Sequence, residues 1–209
     1  MIIQSYFARQ PIFDRNGEPH AFEVLYRPAA DAEHADVFDG IAATRSVLAN
    51  AMWGKPGPDP LGHLLAFVNL PRRFIVDRVL FGFPPERVGA EILEDITIDA
   101  AVIRSVRELR TVGYQIALDD FTIYDHRVGL LPFVDIVKVD IGVLWPDEVV
   151  ETLDLLKRYD VSLLAEKVET REDMERCLEL GFELFQGYYL ARPEVIAGEG
   201  SAGVAVAAS

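Results

Sequence analysis

Carboxylates, amides and one amine recur at the ends of the apolar runs of this sequence: Glu23, Asn69, Glu91 and Glu94, Asp119 and Asp120, Lys138, Glu166 and Glu169, then Gln186. If those ends converge in space, the acids repel one another. A carboxylate pair about 4 Å apart costs about 4 kcal/mol at an effective dielectric of about 20. Such a cluster must hold protons, pair with Lys138 or bind cations. Glu23, Asn69, Glu91, Asp119 and Asp120 offer oxygen ligands only, a donor set that suits Mg²⁺ or Mn²⁺ rather than zinc. Asp119 and Asp120 are adjacent, and adjacent side chains on an ideal strand face opposite ways. At a strand end they can instead address two neighbouring metal sites, and two divalent cations suit in-line displacement at phosphorus. Taken singly, strand-end acids serve more often as helix caps or ion-pair partners, and Asp135 and Asp140 are read in that way. His20, His34, His63 and His126 have no metal-ligand spacing, and no H-E-x-x-H, C-x-x-C or glycine-rich phosphate loop occurs.

Short apolar runs alternating with helical patterns must position these groups. Runs at 6–13 and 20–26 flank the turn Asp14-Arg15-Asn16-Gly17 and predict a hairpin. Further strands are expected at 64–70, 88–93, 115–118, 135–139, 162–168 and 183–190. Helical spacing marks 37–53, 72–80, 100–111, 147–159 and 171–180, with a Pro-rich loop at 55–60. Pro146 suits the first turn of its helix, and Gly113 and Gly181 suit helix ends. Eight strands with interleaved helices and no linker predict an α/β fold: a single (β/α)₈ TIM-type barrel. Its first strand is antiparallel, because a short hairpin cannot join parallel strands. The barrel is expected over 1–197, with a disordered small-residue tail at 198–209.

The 209 residues include 34 acidic and 20 basic ones, a formal charge of −14 that argues against duplex nucleic acid or an anionic membrane as partner. No stretch reads as a membrane span or a signal peptide, and the single cysteine, Cys177, suits a reducing compartment, so a cytoplasmic protein is expected.

Taken in order, the segments resemble the EAL domain, a barrel family that hydrolyses the bacterial messenger cyclic di-GMP. Glu23-Val24-Leu25-Tyr26-Arg27 stands for the E-A-L-L-R motif, preceded by Gln10-Pro11-Ile12-Phe13-Asp14. Glu91-Ile92-Leu93-Glu94 matches E-x-T-E, Asp119-Asp120-Phe121 matches D-D-F, and Lys138-Val139-Asp140 matches K-I-D. Residues 165–170 match A-E-G-V-E-T with Lys167 in place of glycine, and Gln186-Gly187-Tyr188 closes the set before Arg192-Pro193. The likeness runs from about residue 7 to residue 193. The wording of 165–170 and 182–198 also looks like the branch in which an EAL domain precedes an HDOD domain, often as a catalytically degenerate scaffold. No HDOD region follows, so a stand-alone relative or an isolated domain is expected.

The resemblance implies a role for each matching position. Glu23, Asn69, Glu91 and Asp119 would hold one Mg²⁺ or Mn²⁺, with Asp120 contributing to a second. Lys138 would polarise the attacking water, and Glu166 and Glu169 would orient water. Arg27 would grip a ligand phosphate, with Gln10 and Gln186 lining the site. Water would attack in line and the 3′ oxygen would leave, giving linear pGpG. The family's G-T-G-Y-S-S loop after D-D-F, anchored by the residue matching Glu94, helps order the second metal and couples the site to a homodimer interface. Residues 122–127 here, Thr-Ile-Tyr-Asp-His-Arg, lack both glycines and must take another path. Strand alternation would point Lys167 away from Glu166. Three functions fit: the hydrolase, favoured by the retained ligand residues; a cyclic di-GMP sensor; and a protein-interaction scaffold.

Overall fold

The computed structural model describes residues 3–27 and 61–200, with the backbone alone at 3–6, 26–27 and 197–200. The helix expected at 37–53 and the loop at 55–60 lie outside the described residues. Strands β1 (Ile3–Asp14) and β2 (Pro19–Arg27) form the expected hairpin around Gly17, which takes a left-handed φ of 78°. Then follow β3 (Leu65–Asn69), α1 (Arg72–Val76), β4 (Val88–Ile92), α2 (Ala100–Val112), β5 (Ile116–Leu118) and β6 (Ile136–Asp140). The chain continues through α3 (Pro146–Leu156), β7 (Ser162–Glu166), α4 (Arg171–Leu180), β8 (Leu184–Phe185) and β9 (Glu194–Gly200).

Strands β2 to β8 run parallel in chain order, and β1 closes the barrel antiparallel to both β2 and β8. The barrel is the one expected from eight strands with interleaved helices, and its first strand is antiparallel as the hairpin requires. Strand β9 was not foreseen: it pairs antiparallel with the first half of β1, Ile3 to Arg9, and takes in residues 198–200 of the small-residue tail. Residues 201–209 of that tail lie outside the described residues. No helix among the described residues is long and apolar enough to cross a membrane.

Helix ends follow local chemistry. Asp99 caps α2 by accepting from the backbone N–H groups of Ala101 and Val102, and Thr170 caps α4 by accepting from Asp173. Gly113 and Gly181 end those helices at left-handed φ, a conformation costly for residues with a Cβ. The helix expected over 72–80 stops at Val76, because Arg78 turns left-handed and a 3₁₀ turn follows at Val79–Gly82. The eighth strand is shorter than expected for a different reason. A Cβ on Gly187 would lie 2.1 Å from the Val168 carbonyl oxygen, so the chain there crosses the neighbouring backbone instead of extending. Tyr189 N–H donates to that same carbonyl and Val168 N–H to Gln186 O, which locks the crossing.

Alternation along the strands places the site. The inside of the barrel is filled by Ile12, Ala21, Phe67, Ala117, Ile136, Leu164 and Leu184. Gly89 completes the layer; a Cβ there would meet the Phe67 ring at 2.6 Å. Two positions further along each parallel strand, the side chain faces the same interior. Those positions carry Glu23, Asn69, Glu91, Asp119, Lys138, Glu166 and Gln186. On β1, which runs the other way, the matching step back from Ile12 reaches Gln10. The polar groups therefore form one layer on a dry apolar floor at the carboxyl ends of the strands.

Gly187→Ala tests the crossing. It should cost about 3 kcal/mol in urea unfolding, the scale of overpacking against a backbone that cannot move, whereas a midpoint equal to that of the parent chain would contradict this packing.

Candidate active site

Lys138 stands at the centre of the polar layer, 1% exposed. Its Nζ donates to Glu91 Oε1 at 2.5 Å and lies 2.7 Å from Asp119 Oδ1, 2.9 Å from Glu166 Oε1 and 3.6 Å from Glu23 Oε2. Glu23 is oriented from its other side. Gln186 Nε2 donates to Glu23 Oε2 at 2.6 Å and to Gln10 Oε1 at 3.2 Å, and Gln10 Nε2 donates to the Ala191 carbonyl. Asn69 sits in register with Glu91 on the adjoining strand. Five strands thus bring their polar ends around one ammonium, with Gln10 and Gln186 closing the ring.

Among the described residues one positive charge faces these acids, and it does not balance them. Burial alone would make Lys138 easier to deprotonate, but Glu166, Glu23, Glu91 and Asp119 hold it protonated well above its ordinary range. Burial pushes the Glu91 carboxyl well above the usual carboxylate range despite Lys138, and Glu166 is pushed up to about 8 by burial, with Asp119 and Glu23 adding to the effect. Asp119 is buried too, yet its contact with Lys138 holds it below the usual range. Without cations, the site keeps its excess acids neutral by holding protons.

The residues fit a divalent cation. Among the described residues Glu91 Oε2 and Glu166 Oε2 are buried with no hydrogen-bond partner, a costly condition for a polar atom that a bound cation would relieve. Every ligand on offer is an oxygen. A second acidic group lies beside the first: one carboxylate oxygen each from Glu94, Asp119 and Asp120 fall within 4.8 Å of one another. Adjacent aspartates reach a common point because β5 ends at Leu118 and Asp120 takes a left-handed φ of 44°, which breaks the alternation. Desolvation, then Asp119 and Asp140, push the Asp120 carboxyl up to about 6.

Other expected site residues fall elsewhere. Glu169 is exposed at the rim, its backbone N–H donating to Asp173, and among the described residues no contact joins its carboxylate to the Lys138 cluster. The Arg27 side chain lies outside the described residues. Asp140 accepts from the N–H groups of Gly142 and Val143, and Asp135 from that of Ile116, so both serve the structural roles read for them. Lys167 follows the last residue of β7 at φ 59°, where strand alternation no longer sets its direction; it is exposed, its stem passing beside Gly142.

The segment after Asp120 holds a residue the sequence pattern does not single out. Arg127 has no exposed surface. Its guanidinium grips Asp125 and donates to the carbonyls of Ile92 and Asp119, while His126 Nε2 is hydrogen bonded to Ile96 O. These ties dock the segment on β4 and β5; among the described residues no hydrogen bond joins it to the Glu94 carboxylate. A single Arg at the start of the 3₁₀ helix His126–Phe133 gives no periodic signal; the hint is Asp125, which caps that helix.

Residues 65–193 match the model of the EAL domain family. Over 201 residues the chain is 33% identical to the uncharacterized protein YuxH of Bacillus subtilis, covering 92% of this chain and 48% of that protein. Over 196 residues it is 32% identical to the cyclic di-GMP phosphodiesterase CdgJ of Vibrio cholerae, covering 92% of this chain and 45% of that one. The chain spans about half the length of these curated relatives. Among solved structures, an EAL domain protein from Listeria monocytogenes superimposes with a TM-score of 0.70 at 24% identity, over 90% of this chain and 88% of that one.

Proton retention makes stability depend on pH in a stated direction. Glu166 and Asp120 ionise at higher pH in the folded chain than in the unfolded one, so between about pH 4 and 8 the folded state binds more protons and loses stability as pH rises. In chelator, the melting temperature should fall from pH 5.5 to 8.5, and saturating Mg²⁺ or Mn²⁺ should flatten the fall. A melting temperature that rises over this range in chelator would contradict the assigned shifts.

Proposed function

The chain belongs to the EAL domain family, and on that premise we propose that it hydrolyses cyclic di-GMP to linear pGpG with Mg²⁺ or Mn²⁺. The observation that carries the reading is the Lys138 cluster: a buried ammonium within 2.9 Å of Glu91, Asp119 and Glu166 and 3.6 Å from Glu23, on strand ends built to converge. The activity named for the Vibrio cholerae relative supports the substrate. A degenerate sensor or scaffold has no comparable support, because every ligand type the reaction needs is retained.

In this reading Glu23, Asn69, Glu91 and Asp119 hold one cation, and Asp120, with Glu94 beside it, faces a second. Bound cations supply Lewis acidity toward phosphoryl oxygens and lower the pKa of water. The rest is done by the chain. Lys138 donates toward the attacking water and toward charge building on the phosphate. Glu166, its carboxyl 2.9 Å from the Lys138 ammonium, orients that water. Gln186 and Gln10 keep Glu23 turned to the centre, Glu169 adds an acceptor for water at the rim, and Arg27 holds a phosphate as a planar fork. Water enters opposite the departing 3′ oxygen and gives up a proton to solvent, and the 3′ oxygen takes one up from solvent as the ring opens to pGpG. A homodimer at the 122–128 face, where Tyr124 and Val128 stand exposed, belongs to the same reading.

The test is product analysis. Purified chain with cyclic di-GMP and Mg²⁺ or Mn²⁺ should release pGpG; Lys138→Met should lower kcat about 10²–10⁴-fold, and Arg27→Ala should act mainly on KM. Absence of pGpG with either cation at high enzyme loading would remove the hydrolase reading, and binding without turnover would leave a sensor.

A further inference from the structure

The Asp119–Asp120 turn breaks strand alternation to bring two adjacent carboxylates together, and something must hold it. Asp120 sits at φ 44°, a left-handed region that aspartate tolerates better than most residues but that still lies above extended geometry in energy. Released from its surroundings, this peptide would gain by turning back toward extended geometry, which would carry the Asp120 carboxylate to the face opposite Asp119. A hydrogen bond to the peptide oxygen between the two residues prevents that rotation. Arg127 makes it, Nη2 donating to Asp119 O at 2.5 Å.

The same guanidinium reaches the neighbouring strand. Nη1 donates to Ile92 O at 2.7 Å, and Ile92 O also accepts from Asp119 N–H at 3.1 Å. Ile92 directly follows Glu91, so one side chain bridges the carboxyl ends of the two strands that bear Glu91, Glu94, Asp119 and Asp120. The fork is itself held. Asp125 accepts from Nε at 3.0 and 3.1 Å and from Nη2 at 2.6 Å, and from the Arg127 backbone N–H at 2.6 Å. Arg127 is wholly buried and the Asp125 side chain is 5% exposed, so the pair works in a low-dielectric setting and neutralises itself there.

We propose that Arg127, braced by Asp125, is a positioning residue for the cation ligands: it holds the Asp119–Asp120 peptide in its left-handed turn so that Glu94, Asp119 and Asp120 address a common point. Two strand-end carbonyls set at fixed separation suit the planar fork of arginine; the single ammonium of lysine reaches one of them well but not both. The inference rests on the reading that these acids bind divalent cations, and the measurement below separates the two.

Mn²⁺ affinity of chelator-stripped protein is measured by titration calorimetry for the parent chain, Arg127→Met, Arg127→Lys, Asp125→Asn and Leu156→Ala, with a melting temperature for each. Leu156 is buried in α3, away from the site, and controls for destabilisation alone. Arg127→Met should bind Mn²⁺ about 10–100-fold more weakly, the scale of lost support behind metal ligands. Arg127→Lys should fall between it and the parent chain, and Leu156→Ala should melt earlier with unchanged affinity. Folded Arg127→Met with the parent affinity overturns the proposal. If Arg127→Met does not fold, Asp125→Asn decides: about tenfold weaker binding supports the proposal and unchanged binding overturns it. A parent chain that binds no Mn²⁺ overturns the cation reading and the proposal with it.

Discussion

The ammonium of Lys138 is the interaction on which the rest of the site turns. Four carboxylates face it inside a barrel mouth where water screens poorly. One positive charge cannot offset four negative ones, so the site has two ways to reach balance. Protons can stay on Glu91 and Glu166, both of which burial pushes upward, or divalent cations can replace them. The fold keeps both options open because the carboxylates are anchored to different strands and cannot separate. Removing one partner of so buried a charge cluster costs more than the attraction it supplied, since the remainder is left uncompensated.

What makes the cluster form is a repeat of two. Each inward-facing core residue is followed, two positions on, by a polar one: Ala21 by Glu23, Ala117 by Asp119, Ile136 by Lys138, Leu164 by Glu166. The apolar layer seals the barrel from below and fixes the height of the polar layer. Phe67 and Gly89 show how tightly this is set, the phenyl ring lying where a second Cβ would stand. The same geometry explains why the acids are not surface ion-pair partners, the ordinary fate of strand-end carboxylates.

Much of this was legible in the order of residues, for physical reasons. Eight short apolar runs with interleaved helices announce a barrel, and the Asp14–Gly17 turn dictates an antiparallel first strand. The strand-end acids could be named because a barrel sends all its carboxyl ends to one rim. Other features left no periodic trace. The short β8 follows from a backbone crossing at Gly187, β9 from a pairing with β1 across most of the chain, and the break at Val76 from the left-handed Arg78. Asp120 and Lys167 take left-handed backbones at the site itself, where local rules are broken and tertiary contacts compensate. Arg127 compensates for the first and is invisible to hydropathy because a buried arginine looks like any loop cation.

The central claim is that these acids meet around divalent cations, and anomalous diffraction from crystals grown with Mn²⁺ tests it most directly. The account predicts an anomalous peak bounded by Glu23, Asn69, Glu91 and Asp119, with the Lys138 ammonium drawn back from Glu91 to make room. A map with no peak there, and Lys138 still bonded to Glu91 and Asp119 at high Mn²⁺, would contradict it.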